Sequence, residues 1–258
     1  MCKKNSKNLV SIITVVRNGR ETIKDTIDSV LSQTYSNIEY VIIDGVSTDG
    51  TIELIKEYQG KITQFVSEPD TGIYDAMNKG IALATGNIVG ILNSDDFYAS
   101  DHIVENIVNE FLVKNVDSVY GDLVYVSQDN TNKVVRYWKS QPYQVGLFQQ
   151  GWHPAHPAFF VKREVYKKYG VFNLDFKIAA DYEIMLRFLE KHRISVSYLP
   201  EIFVKMRIGG ESNKSIKNIV KANIESYQSW GGNGLHINPL KILLKPLSKL
   251  FQLFNKKN

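Results

Sequence analysis

The chain has 258 residues, 43% hydrophobic and 22% charged, with a formal net charge of +4, a composition that excludes a disordered or fibrous protein. Its one cysteine, Cys2, excludes an intramolecular disulfide framework and a thiolate metal centre, and fits a reducing, cytoplasmic setting. No run reaches the ~18 apolar residues of a membrane span, and Met1 to Asn8 lack the apolar core of a signal peptide.

The β-branched run Val10 to Val16 predicts a strand, Arg17-Asn18-Gly19 a turn, and Ile23, Ile27, Val30 and Leu31 a helix. Tyr40 to Ile43 repeats the strand signal and Asp44-Gly45 ends it. Ser47-Thr48-Asp49 then offers caps for a helix carrying Ile52, Leu54, Ile55 and Tyr58. A third unit runs from Ile62 to Val66 through Glu68-Pro69-Asp70-Thr71-Gly72 into a helix with Ile73, Met77, Ile81 and Ala84. The alternation predicts an α/β fold on a mostly parallel sheet.

Ile88 to Leu92 reads as a fully buried strand that ends on Asn93-Ser94-Asp95-Asp96. Ile103 to Leu112 predicts a helix, and Ser118 to Val126 and Lys133 to Trp138 predict strands. Gln141 to Pro157, with three prolines and aromatic residues without period, is an irregular connection of the kind that carries function. Helices around Arg163 to Tyr169 and from near Asp181 follow, then an extended segment Ser195 to Met206.

Parallel strands end on one side of a sheet, so Thr14 to Asn18, Asp44 and the Asp95-Asp96 pair converge although they are distant in sequence. Two adjacent carboxylates repel each other in a dry site, so the pair suits a divalent cation or a ribose beside a phosphate; a solvated turn with a helix cap is the plain alternative. Val16-Arg17-Asn18-Gly19-Arg20 matches neither a dinucleotide fingerprint nor a P-loop. That excludes the usual nicotinamide oxidoreductase and P-loop NTPase.

The strings Ser11-Ile-Ile-Thr-Val-Val-Arg-Asn18, Ile42-Ile-Asp-Gly-Val-Ser-Thr-Asp-Gly-Thr51, Glu68-Pro-Asp-Thr-Gly-Ile-Tyr-Asp-Ala-Met-Asn-Lys-Gly80, Ala84-Thr-Gly86 and Leu92-Asn-Ser-Asp-Asp96 resemble, in order and spacing, the nucleotide-sugar half of the glycosyltransferase family 2 enzymes. Ala179-Ala-Asp-Tyr-Glu183 resembles that family's acceptor-side acidic motif. The resemblance implies a GT-A fold, Rossmann-like, with one catalytic domain over 1–232 (nucleotide half about 1–98, acceptor half about 99–232). It also implies an inverting transfer from a UDP-sugar to a saccharide or lipid-linked saccharide of a bacterial surface polysaccharide, with Mg²⁺ or Mn²⁺ as cofactor. Asp44 then matches the base contact, Asp95 a ribose or sugar contact, Asp96 the metal ligand and Asp181 the catalytic base. Thr14, Val16, Asn18, Lys79, Asn93 and Ser94 join the nucleotide side; His156 and Trp152 join the acceptor side.

Two positions depart from the family pattern. Gly45 stands where many members have a second Asp, and Ala180 where a Glu often precedes the base. The nearest rival, a sugar nucleotidyltransferase, would need a Gly-rich cationic loop after the first strand, which is absent. A catalytically silent nucleotide-sugar-binding module is the rival from another class, and the intact Asp95, Asp96 and Asp181 argue against it.

Beyond Phe203 only two acids, Glu211 and Glu225, face ten lysines and arginines. Within the final segment, 233–258, leucines and phenylalanines recur at helical spacing from Leu240 to Phe254, while Lys241, Lys245 and Lys249 recur every four residues. Such a helix either lies on an anionic membrane, which would make the protein peripheral, or packs on the body or a second copy; no nucleic-acid motif accompanies it. The oligomeric state is left open.

Overall fold

The computed structural model describes residues 8–209 and 216–238. These form a nine-stranded sheet in the order β3-β2-β1-β4-β8-β6-β9-β5, with β7 paired to β6 outside that path. The first four strands are β1 (Val10–Val16), β2 (Ile38–Asp44), β3 (Gln64–Ser67) and β4 (Ile88–Ile91). They pair in parallel, as the alternating pattern predicts.

Every residue of β1 is buried because both faces of the strand are covered. Val10, Ile12 and Val16 point to one face, where α1 (Ile23–Leu31), α2 (Thr51–Lys56) and α4 (Ile103–Lys114) supply Ile23, Ile27, Val30, Ile55, Ile107 and Phe111. Ile13 and Val15 point to the other, against Tyr74, Met77 and Ile81 of α3 (Ile73–Leu83) and against later helices. Each aliphatic side chain so buried is worth about 1.5–3 kcal/mol. Gly80 lets α3 lie close to β1, since a methyl group there would collide with Ile13 Cγ2.

Beyond β4 the sheet is mixed. β8 (Phe159–Lys162) runs antiparallel to β4 and to the first half of β6 (Ser118–Val126). β7 (Val134–Trp138) pairs antiparallel with the second half of β6, and β9 (Val196–Arg207) lies parallel along its other edge. β5 is only Asp96–Tyr98, antiparallel to β9 with Asp96 opposite Met206.

Behind this half lie α5 (Arg163–Tyr169), α6 (Ala180–Leu186, continued by a π-turn over Arg187–Lys191) and α7 (Ile216–Gly232). The strands β5 and β8 and the helix α7 are absent from the sequence reading. The amphipathic run from Leu240 lies outside the described residues. Among the described residues no helix is long and apolar enough to cross a membrane.

Candidate active site

The loops that leave β1 and β2 are sewn together at the carboxyl edge of the sheet. Asn18 takes up a left-handed conformation (φ 54°), its amide donates to Ser47 Oγ at 2.7 Å, and its Oδ1 accepts from the Thr48 amide at 2.9 Å. The Gly19 amide donates to Thr51 Oγ1 at 3.0 Å. Asp44 lies beneath this seam with no exposed surface. Its Oδ2 accepts from the Ser47 amide (3.0 Å) and from Ser67 Oγ (2.7 Å), while Oδ1 is buried with no hydrogen-bond partner. A buried acceptor without a donor is costly, and an N–H of a nucleobase is the kind of group that would satisfy it.

Asp96 shows the same deficit more strongly. It is fully buried; Oδ2 accepts from Asn93 Nδ2 at 3.1 Å, and both Asp96 Oδ1 and Asn93 Oδ1 lack a partner. Burial, and after it the charge of Asp95, push the Asp96 carboxyl well above the ordinary carboxylate range. Two orphaned oxygens in one four-residue turn fit a divalent cation. The described residues hold no group of three or more His, Cys, Asp or Glu that could cage one. An ion here would therefore complete its shell with phosphate oxygens and water, as Mg²⁺ commonly does. The turn is held from outside: Arg207 Nη1 donates to the Asp95 carbonyl at 2.8 Å and Nη2 pairs with Asp25, while Thr26 Oγ1 bonds the Asp96 carbonyl at 2.7 Å.

Asn93 also lines a cavity of about 360 Å³ that reaches Tyr74, Trp138, His153, His156 and Asp181, a size suited to a sugar ring and its leaving group. Asp181 stands in the first turn of α6, where Oδ1 accepts from the Tyr182 amide at 2.8 Å and from the Tyr74 hydroxyl at 3.3 Å. The same hydroxyl makes its shorter bond, 2.7 Å, to the Ile178 carbonyl. Burial and the nearby Asp181 charge raise the Tyr74 hydroxyl well above its ordinary range, so it remains a donor. A roomier hollow of about 490 Å³ lies at the opposite edge, by Asn87, Ile88 and Lys162. It faces the amino end of β4, where parallel sheets do not bind ligands.

Comparisons with known proteins place the chain in a family. The Glycosyl transferase family 2 sequence model matches residues 11–170. The chain belongs to glycosyltransferase family 2. An uncharacterized glycosyltransferase of Mycobacterium tuberculosis is 33% identical over 181 residues, 69% of this chain and 68% of its own length. A PGL/p-HBAD biosynthesis glycosyltransferase of Mycobacterium bovis is 29% identical over 80% of this chain and 79% of its own. Among solved structures, Staphylococcus aureus TarS 1-349 in complex with UDP-GlcNAc superposes with a TM-score of 0.67 at 16% identity, over 94% of this chain and 72% of that one. The Pyrobaculum calidifontis mannosyltransferase PcManGT, in complex with GDP-Man and Mn²⁺, does so with a TM-score of 0.64 at 19% identity, over 94% and 68%. The shared architecture is the GT-A fold expected from the motifs.

In this glycosyltransferase several expected contacts fall elsewhere. The Thr14 hydroxyl is turned into the core, where it accepts from Tyr40 at 3.1 Å, and the Val16 carbonyl accepts from the Gly45 amide at 2.8 Å as the ladder runs on. Lys79 is drawn away to Glu68 (2.9 Å) and the Pro69 carbonyl (2.6 Å). Ser94 stays in the turn, its carbonyl accepting from Thr26 Oγ1 at 2.9 Å.

His156 does line the cavity, and burial lowers its pKa from the ordinary 6.5. Trp152 does not: it packs on Tyr120 and Tyr143 in the core. The aromatic wall is instead Trp138, stacked on Tyr125 and meeting His153 edge-on, with an indole N–H that has no partner. The strand alternation of β7 was the available signal for it. Gly45 also finds an explanation, because a side chain there would collide with the Asp70 carboxylate, which fills that space from the next loop.

Proposed function

We propose that this enzyme moves a sugar from a nucleoside-diphosphate sugar, a UDP-sugar first of all, to an acceptor hydroxyl with inversion at the anomeric carbon. The observation that carries the reading is that Asp181 is the single carboxylate among the described residues lining the cavity. A double displacement needs a second carboxylate as nucleophile, whereas one displacement needs one base. Both hydrogen bonds to Asp181 fall on Oδ1, which leaves Oδ2 to take the acceptor proton. Asp44 accepts an N–H of the base, and Asp96 with Asn93 would hold Mg²⁺ or Mn²⁺. When bound, such an ion neutralises the diphosphate and the charge that grows on it as the bond to the sugar breaks. The neighbours' complexes with UDP-GlcNAc and with GDP-Man and Mn²⁺ support a nucleotide-sugar donor and a metal.

Trp138 and His153 line the same cavity as Asp181 and suit a saccharide acceptor. The catalytic domain over 1–232, a cytoplasmic location and attachment of 233–258 to anionic lipid, beside a lipid-linked acceptor for surface polysaccharide, complete the reading. Thermal unfolding with a panel of nucleotide-sugars, with and without Mn²⁺, tests it. A true donor at a hundred times its Kd adds about 2.7 kcal/mol to stability by mass action, and that gain should require the metal. A panel that produces no metal-dependent shift would remove the reading.

A further inference from the structure

The segment that leads into Asp181 is held by a side chain from another helix. The amides of Lys177, Ile178 and Ala179 all donate to the carboxylate of Glu225 on α7, at 3.1 Å to Oε1 and at 2.8 and 2.9 Å to Oε2. Glu225 is only 5% exposed, and its one cationic neighbour among the described residues is Lys221 at 3.9 Å. The carboxylate is therefore satisfied by backbone amides. Ala179 caps α6 without any side-chain bond of its own. Glu225 supplies from outside the negative charge that a helix start favours.

From the other side, Tyr74 grips the Ile178 carbonyl and reaches Asp181 Oδ1. Lys177, Ile178 and Ala179, which end two positions before the base, are thus fixed through three N–H groups and one C=O group. α7 has other ties to the body of α6, from Trp230 Nε1 to the Tyr182 hydroxyl (3.0 Å) and from Asn233 Nδ2 to Glu183 Oε1 (2.9 Å). The bonds of Glu225 fall instead on the approach to Asp181. Its near neighbours in the helix, Ala222, Asn223 and Ser226, line the cavity together with Ile178 and Ala179.

We propose that Glu225 is a positioning residue for the transfer reaction: through the amides of Lys177, Ile178 and Ala179 it sets where Asp181 stands relative to the acceptor hydroxyl on the wall that α7 builds. The inference rests on Asp181 being the base. A displacement of about 1 Å at such a group can cost on the order of a hundredfold in rate, and Glu225 touches none of the groups on the donor side.

The test measures nucleoside-diphosphate release, in Mn²⁺, from the sugar nucleotide that the wild-type enzyme turns over fastest, together with donor Kd and Tm. Glu225→Gln, which keeps the shape but faces the amides with an NH₂ group, should lower kcat at least tenfold with donor Kd within twofold. Glu225→Asp, charged but shorter, should fall between it and wild type by more than a factor of two from each. Asn233→Ala, which loosens α6 and α7 away from this segment, should lower Tm and keep kcat within twofold.

A folded Glu225→Gln enzyme with kcat within twofold of wild type overturns the inference, as does an Asn233→Ala enzyme that loses as much kcat. If Glu225→Gln does not fold, unchanged turnover by Glu225→Asp overturns it. Asp181→Asn run alongside separates the two readings. Normal turnover there removes the base itself and this inference with it, whereas an inactive Asp181→Asn beside an unaffected Glu225→Gln removes only the positioning role. A wild-type protein that releases no nucleoside diphosphate from any sugar nucleotide removes both.

Discussion

Replacing Asp96 by Asn should make the metal-free enzyme more stable while abolishing its response to metal and donor. The wild-type carboxylate is fully buried, holds one hydrogen bond to Asn93, and leaves Oδ1 without a partner beside the charge of Asp95. An unsatisfied buried acceptor costs about 1–3 kcal/mol. An amide keeps the bond to Asn93 through its oxygen and removes the charge. Its NH₂ also gains a candidate acceptor in the unpartnered Asn93 Oδ1. A net gain of about 1–2 kcal/mol corresponds to a rise in Tm of roughly 2–8 °C for a domain of this size. Scanning calorimetry in EDTA at pH 7 would measure it, followed by the same scan with UDP and Mn²⁺. Wild type should then rise and the variant should not. A variant less stable than wild type in EDTA would show that the carboxylate is a structural anchor, and a variant that still responds to Mn²⁺ and UDP would place the ion elsewhere.

Asp44→Asn should weaken UDP binding about ten- to a hundredfold, the value of a hydrogen bond to a charged group; titration calorimetry showing unchanged affinity would move the base away from Asp44. Gly80→Ala should destabilise the fold by about 1–3 kcal/mol in denaturant titration, because the collision with Ile13 outweighs the better helix propensity of alanine. Burial lowers the pKa of His156 from 6.5, so below pH 6.5 the unfolded chain binds more protons than the folded one. The stabilisation is complete above 6.5 and is lost as pH falls through the folded pKa. Unfolding free energies measured between pH 8 and 5 should show that fall in wild type and a smaller one in His156→Gln; equal slopes would contradict it.

The parallel half of the fold was legible because its strands are covered on both faces, so that Ile88 to Leu92 appears as an unbroken apolar run and Val10 to Val16 as a largely β-branched one, each ending at turn residues. β5 and β8 were not, since three or four residues carry too little periodicity to separate a strand from the end of a loop. α7 was hidden by a face that mixes Lys217, Val220, Lys221 and Ile224 on the outside with Glu225, Ser226 and Ser229 buried within. Within the site, Asp44, Asp96 and Asp181 were readable as acids at element ends. Trp152 was misplaced because an irregular connection gives no rule for where its ring turns, whereas Trp138 ends a strand, β7, whose alternation carried the signal. Arg207 and Glu225 act through backbone carbonyls and amides, contacts that leave no trace in residue spacing.

The pairing of Asp96 with Met206 has a consequence for the order in which the protein is made. The four parallel strands and the seam over Asp44 are complete once β4 has emerged from the ribosome. The strand that begins at Asp96 has no partner until β9 arrives, and Arg207, which steadies the Asp95 carbonyl, comes with it. At about 5–20 residues per second, that delay is on the order of 5–20 s. A nascent chain can therefore carry the finished seam over Asp44 while the turn that leads into Asp96 still lacks the strand and the arginine that hold it.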